Sequence, residues 1–412
     1  MQDKPMAIAM IVLTAAVLAG GAGVVSADLP VAATAPASAP APGASAPAGM
    51  DEQHQAAARK LIQGGIDFLR PRQQADGGWS LGQGANKPAI TAMVLKALIQ
   101  GGHLNDRSQW VQRGFEVMLS YRQADGGIYD PKQGLSNYTT SLAIMAMTAS
   151  QNPRYTQAIR ESVEYLKRQQ IAPGAETPDG QTVTPDHPFA GGVSYGQHGR
   201  PDLSNMGMWM EAMHEAGVPA DDPAIQRALV FVTRAQNRSE SNALAWAKEG
   251  SNDGGFVYAP ATASILVQGE TKVEAAPGET GLRSYGSMTY VGFKSLLYAG
   301  LAKDDGRVRA AYDWIRRYWR LDSNPNMPRA QSLQGLYYYY HAMAKALRAW
   351  GEPVITDAQG VAHLWRAELI DALQQRVRPD GSWVNLAMRW EEADPVLATA
   401  YAVLALQETL AP

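Results

Sequence analysis

The sequence predicts an all-α fold, an (α/α)6 toroid of six helical hairpins in two concentric layers. Three observations carry the prediction. A Gly-containing turn, written most fully as "RQQADGGWS" at residues 72–80, recurs along the chain. Each copy follows a stretch with apolar residues at helical spacing and precedes one rich in Ala, Met and Leu and poor in charge. No strand pattern runs through the repeated units, so each is a helix, a turn and a second helix that must bury its apolar face on its neighbours.

The first unit runs from "GGIDFLRPRQQADGGW" to "PAITAMVLKALIQGG", and the second from "RGFEVMLSYRQADGGIY" to "SNYTTSLAIMAM". The third joins "SVEYLKRQQ" through a Pro-rich insert to "HPFAGGVSYG" and "DLSNMGMWMEAMHEAG". The fourth has "RALVFVTRAQN", "NDGGFVYAP" and, after a longer insert, "LRSYGSMTYVGFKSLLYAG". In the fifth, "RAAYDWIRRYWRL" leads to "QSLQGLYYYYHAMAKALRAWG", with "SNPNMP" in place of the glycine turn. The sixth is "WRAELIDALQQRVRPDGSW" followed by "ADPVLATAYAVLALQ". Twelve such helices suit either an open solenoid or a closed ring; six units would close well as two concentric layers, with the first helices outside and the charge-poor second helices inside. Asp76, Asp125, Asp253 and Asp380 are placed to accept hydrogen bonds from the turn backbone, and the next glycine can adopt positive φ without a Cβ clash. Trp79, Phe256 and Trp383 can then fold back over the end of the first helix.

Composition narrows the function classes. The 412 residues are 46% hydrophobic and 18% charged, with a formal net charge of −3 and no cysteine. Near-neutral charge without a dense Lys/Arg run argues against nucleic acid as a partner. Absence of cysteine excludes disulfides, thiolate zinc sites and a cysteine nucleophile. Residues 1–27 read as a signal peptide: Lys4, an apolar run from Met6 to Val25, and small residues before Asp28. Residues 28–50 are an Ala/Pro-rich linker, and 51–412 the toroid domain. The expected location is therefore periplasmic or secreted, with an N-terminal anchor as the alternative and no membrane span in the mature chain. Two β-prone runs around Gly269 suggest a small hairpin within 257–283.

Phe68, Leu69, Gln73, Gly77 and Trp79 spell an aromatic-aliphatic pair, three residues, Gln, three residues and Gly-x-Trp. This resembles the QW repeat of squalene–hopene cyclases and the related prenyltransferase repeat. Partial copies stand at Tyr165, Leu166 and Gln170 and at Phe231, Val232 and Gln236, while Arg122 and Trp319 take the Gln place elsewhere. The resemblance covers residues 55–410 and implies the toroid of the terpenoid cyclase–protein prenyltransferase superfamily. It does not by itself transfer an activity.

Class II cyclases of that superfamily protonate a polyene with an aspartate in a D-x-D-D-T-A motif. Thr91-Ala92 has the right ending, but Lys87, Ala89 and Ile90 occupy the aspartate places. The nearest acidic cluster before another Thr-Ala pair, Thr399-Ala400, holds Glu391, Glu392 and Asp394. These are candidate acids, with Asp394 alternatively a helix cap before Pro395. Protein prenyltransferases instead use zinc held by Asp, Cys and His; His341 is the one suggestive residue, and no metal or other cofactor is expected. Candidate cavity residues at the starts of the second helices and before them are Tyr138, Asp202, Met206, Arg283, Tyr285, Tyr290, Tyr337, Tyr338 and Trp390. Their aromatic faces suit an apolar, isoprenoid-like small molecule, although such residues also build ordinary cores. Two alternatives stand beside a cyclase-like binder: a non-catalytic interaction scaffold, and a carbohydrate lyase or hydrolase with Tyr340, His341 and Arg283 as its loose candidates.

Overall fold

The computed structural model describes residues 50–82, 84–102, 104–177, 180–196, 199–260 and 282–411. The expected leader, almost all of the expected linker and most of the expected hairpin within 257–283 lie outside the described residues. Six charge-poor helices form the inner layer: α2 (Lys87–Ile99), α4 (Ser136–Ala149), α6 (Leu203–Glu215), α9 (Gly286–Tyr298), α11 (Leu336–Trp350) and α13 (Pro395–Leu410). Each packs on the next and α13 packs back on α2, which closes the ring. Around them lie α1 (Glu52–Leu69), α3 (Gln109–Ser120), α5 (Thr156–Arg168), α7 (Pro223–Arg234), α10 (Gly306–Arg317) and α12 (Trp365–Gln374), each against the inner layer. The sequence pattern explains the two layers. In α2 every residue after Lys87 is buried. Helix α5 buries one stripe, Ala158, Ser162, Val163, Tyr165 and Leu166, and shows water the rest.

Two features were not anticipated. A four-residue helix, α8 (Ala245–Lys248), follows α7, and a short antiparallel ribbon pairs Ile355–Thr356 with Ala362–His363 between α11 and α12. No helix among the described residues is long and apolar enough to cross a membrane.

The recurring turn is a joint between neighbouring units as well as between the two helices of one. Asp76, Asp125, Asp253 and Asp380 each accept the N–H two residues on, at 2.9–3.1 Å. The next glycine sits at positive φ against the backbone of the following unit's outer helix. A Cβ on Gly254 would lie 2.5 Å from the Ala310 carbonyl of α10, and one on Gly381 2.5 Å from Gly64 in α1. The last joint therefore closes the ring. The repeat glutamines bind both sides of it. Gln73 donates to Gly77 and Trp110, Gln170 to Gly191 and Ala224, and Gln236 to Gly254 and Arg307. In each case the second carbonyl belongs to the first turn of the next outer helix. The indole N–H groups of Trp79 and Trp383 close the ends of α1 and α12 by donating to Leu69 and Leu373. Inner-helix threonines complete the device: Thr91, Thr140, Thr289 and Thr399 accept the N–H of residues 79, 128, 256 and 383. In the fifth unit, which lacks the glycines, Asn326 takes the left-handed conformation at φ 60°.

Candidate functional site

Two hydrogen bonds show which helix faces look into the ring. The hydroxyls of Tyr138 on α4 and Tyr401 on α13 lie 3.0 Å apart, and Ser204 on α6 donates to the Tyr338 hydroxyl on α11 at 3.1 Å. Neither pair joins neighbouring inner helices, so both bonds cross the interior. Inward positions then recur every three or four residues. They are Tyr138, Ser141 and Met145 on α4; Ser204, Met208, Glu211 and Glu215 on α6; Tyr338, His341 and Lys345 on α11; and Tyr401 and Glu408 on α13.

The interior is built in levels. Where the inner helices begin, Asp202 caps α6 by accepting from Asn205 through both oxygens, at 2.9 and 2.8 Å. Burial, and after it the Asp202 charge, push the hydroxyls of Tyr258 and Tyr285 above the ordinary tyrosine range. Tyr195 is raised by the same two causes. The Trp390 ring lies over that of Tyr258, with centroids 6.4 Å apart. The cross-ring belt of Tyr138, Tyr338 and Tyr401 follows. Tyr138 and Tyr338 are partly exposed, unlike Tyr401, which is buried. Burial pushes the Tyr138 hydroxyl up to about 12. Deeper still, His341 stands beside the Tyr401 ring, 5.7 Å between centroids. Burial drives its imidazole down to about 3, so it is neutral at physiological pH.

The far end is a buried ion cluster in the last two turns of the inner helices. Glu211 accepts from Lys96 at 3.0 Å, from Lys294, and lies 3.2 Å from Lys345. Glu215 bridges Lys96 and Lys345 at 2.8 and 2.6 Å. Glu408 joins Lys345 at 3.2 Å and Arg348 at 2.8 Å. Burial opposes every charge here, yet the three lysines hold Glu211 well below the usual carboxylate range. Lys345 and Arg348 keep Glu408 at about 2. Three carboxylates and four cations meet where helix C-termini converge, and the negative ends of those helices favour the excess cation.

The sequence candidates are distributed unevenly over this frame. Tyr138, Asp202, Tyr285, Tyr338, Trp390 and His341 belong to the interior or its rim. Tyr337, Tyr338, Tyr339 and Tyr340 are consecutive and so fan round α11 by about 100° each. Only Tyr338 faces inward; Tyr337 donates to the Val384 carbonyl, and Tyr339 and Tyr340 to those of Arg320 and Leu321 on the outer side. Tyr290 stands edge-on to Tyr339, between α9 and α11. Met206 is two residues from Ser204, hence on the opposite face of α6, and is fully buried there. Arg283, just before α9, donates to the Asn326 carbonyl between α10 and α11. Tyr340, His341 and Arg283 therefore do not form one cluster. Asp394 caps α13 by accepting from Val396 at 2.8 Å and also takes the Gly82 N–H. Glu391 is exposed, at φ 61°.

Glu392 is buried against α11. It accepts the Tyr338 N–H and the Asn385 amide, both at 2.7 Å, and thereby caps that helix. Two successive left-handed residues, Trp390 and Glu391, hold it there at about 1–2 kcal/mol of backbone strain each. Burial outweighs these donors and raises its carboxyl from 4.5 to about 7. Because the folded chain binds this proton more tightly than the unfolded one, its stabilising contribution is complete below about pH 4.5 and is lost as pH rises through about 7. Melting temperatures of the wild type should therefore fall between pH 5 and 8 relative to Glu392→Gln; parallel curves would show that this carboxyl does not titrate in that window.

Sequence reasoning passed over the ion cluster, Ser141, Met145, Tyr401, Tyr195 and Tyr258. A signal for the cluster was present: one charge in each of "MVLKALI", "MWMEAM", "VGFKSLL" and "LALQETL", and two in "AMAKALR". Among the described residues, no three His, Cys, Asp or Glu side chains are placed to hold a metal ion.

The fold so described is that of the type II terpene cyclases. The cyclase MstE from Scytonema, in a variant solved with its substrate geranylgeranyl dihydroxybenzoate, superposes with a TM-score of 0.53 at 14% identity, over 88% of this chain and 99% of that one. Another variant, with the product merosterolic acid A, gives 0.52 at 15% identity, over 87% and 99%. A glycosidase at TM-score 0.48 and 12% identity, over 88% of this chain and 100% of its own, is more distant. No family profile and no curated protein matches the sequence.

Proposed function

We propose that this chain is an exported, terpene cyclase-like toroid that binds an elongated, largely apolar molecule of isoprenoid type inside its ring, and binds it without protonating it. The observation that carries this reading is the belt of Tyr138, Tyr338 and Tyr401, whose contacts cross the ring while Tyr138 and Tyr338 stay partly exposed. Aromatic rings and the thioether of Met145 offer the soft, polarisable surface that an alkene chain prefers. Access is at the end where the inner helices start, where Leu386 and Met388 of the Trp390 loop are 88% and 78% exposed. The absence of chemistry follows from where the acids stand. Asp394 and Glu392 are engaged as helix caps, Glu391 points to water, and neutral His341 is too weak an acid to protonate an alkene.

The experiment is native mass spectrometry of the purified protein with geranylgeraniol, alongside product analysis of the mixture. One bound molecule per chain, weakened at least tenfold by Tyr138→Ala, is the expected result. Loss of binding specificity, with no effect of Tyr138→Ala, would sink the reading, and a cyclised product would overturn its non-catalytic part. A second reading, a scaffold with no small ligand, is favoured by the ion cluster that ties α2, α6, α11 and α13 across the ring. It predicts no complex with any isoprenoid.

A further inference from the structure

We infer that the molecule held in the ring carries a neutral hydrogen-bonding head, a hydroxyl or carbonyl, received by Asn137, Ser141 and His341; this rests on the interior being the binding site. Four side-chain atoms in three residues have no hydrogen-bond partner among the described residues: both amide atoms of Asn137, Ser141 Oγ and His341 Nε2. The residues are 1%, 0% and 3% exposed. A buried polar group without a partner costs about 1–3 kcal/mol, so several in one region imply a companion that is not protein.

Their placement is consistent with one ligand. Ser141 lies between Tyr138 and Met145 on the inward stripe of α4, and His341 lies between Tyr338 and Lys345 on that of α11. Asn137 is one turn before Ser141. Its N–H donates to the Tyr195 carbonyl at 3.0 Å. Gly207 of α6 abuts Val291 of α9, so Asn205 on the opposite flank of α6 faces α4, where Asn137 stands. Ser141 and His341 thus sit between the tyrosine belt and the ion cluster, on opposite sides of the ring, and Asn137 stands level with the belt one turn above Ser141.

Their chemistry selects against charge. An amide, a hydroxyl and a neutral imidazole can donate to and accept from an uncharged head. An anionic head would need a free cation, and the lysines below are committed: Lys96 to Glu211 and Glu215, Lys294 to Glu211, and Lys345 to all three carboxylates. Glu211 Oε1 stands 4.0 Å from His341 Nε2 and would repel an anion placed there.

The test compares four C20 isoprenoids on the full chain by competition: the alcohol, the hydrocarbon, the carboxylic acid and the diphosphate. The alcohol should bind at least tenfold more tightly than each of the others. Ser141→Ala and Asn137→Ala should each weaken the alcohol about tenfold, equivalent to one hydrogen bond, and leave the hydrocarbon unchanged. Thermal melts of both variants separate loss of the head contact from loss of fold, since a misfolded variant would lose the hydrocarbon as well. Hydrocarbon binding equal to that of the alcohol, or tighter binding of the acid or diphosphate, would overturn the inference while leaving the ring a binding site. If none of the four binds, the binding reading itself falls and this inference with it.

Discussion

Glu211→Gln is expected to lower folding stability by about 3–5 kcal/mol, the usual cost of removing one partner from a buried ion pair. Glu211 is fully buried and is the one carboxylate that joins all three lysines. Lys96 and Lys345 retain Glu215, but Lys294 has no other carboxylate partner in the cluster. Burial already pulls Lys294 below its ordinary value, and without Glu211 it would fold only by giving up its proton. Chemical denaturation of the wild type and variant measures the effect. A loss under about 1 kcal/mol would show that the cluster is hydrated enough to screen its charges. Adding Lys294→Met should restore part of the loss, because the orphaned ammonium is then gone. The same groups set the acid limit. Glu211, Glu215 and Glu408 are stronger acids folded than unfolded, so their contribution is present above about pH 4.5 and is lost as pH falls, for Glu408 through about 2.

The second large effect belongs to the joints. Gly191→Ala should cost at least about 3 kcal/mol. Its φ of 81° is worth about 1–2 kcal/mol for any residue with a Cβ. That Cβ would also lie 2.1 Å from the Arg227 carbonyl oxygen, backbone that moves only if α7 shifts. Gly351→Ala is the control: φ is 79° but nothing lies within 4 Å, so only the conformational part remains. The difference between the two melts isolates the contact between units; equal losses would mean that α7 yields freely.

The joint was largely legible beforehand because it is local. An Asp accepting from the N–H two residues on, a glycine at positive φ and a tryptophan closing the preceding helix all act within a dozen residues, and their signature repeats. What local reading missed is that Gln73, Gln170 and Gln236 reach the next unit, a contact over 37, 54 and 71 positions. The aromatic candidates fared according to phase. "YYYY" supplied four tyrosines in a row, and helical geometry lets only Tyr338 see the interior. Asp394 satisfied its cap reading, since Pro395 leaves the acidic residue before it free to accept the Val396 N–H.

By itself the sequence determined the class of fold, the number of hairpins and which helix of each lies inside, because periodicity, turn chemistry and charge are properties of short segments. It also determined that each of five inner helices carries a charge within apolar surroundings. Tertiary structure alone decided that these charges meet, since Lys96 and Glu211 are 115 positions apart and Lys345 and Glu215 are 130 apart. Pairing is a matter of distance and dielectric, and both are set only when the ring closes.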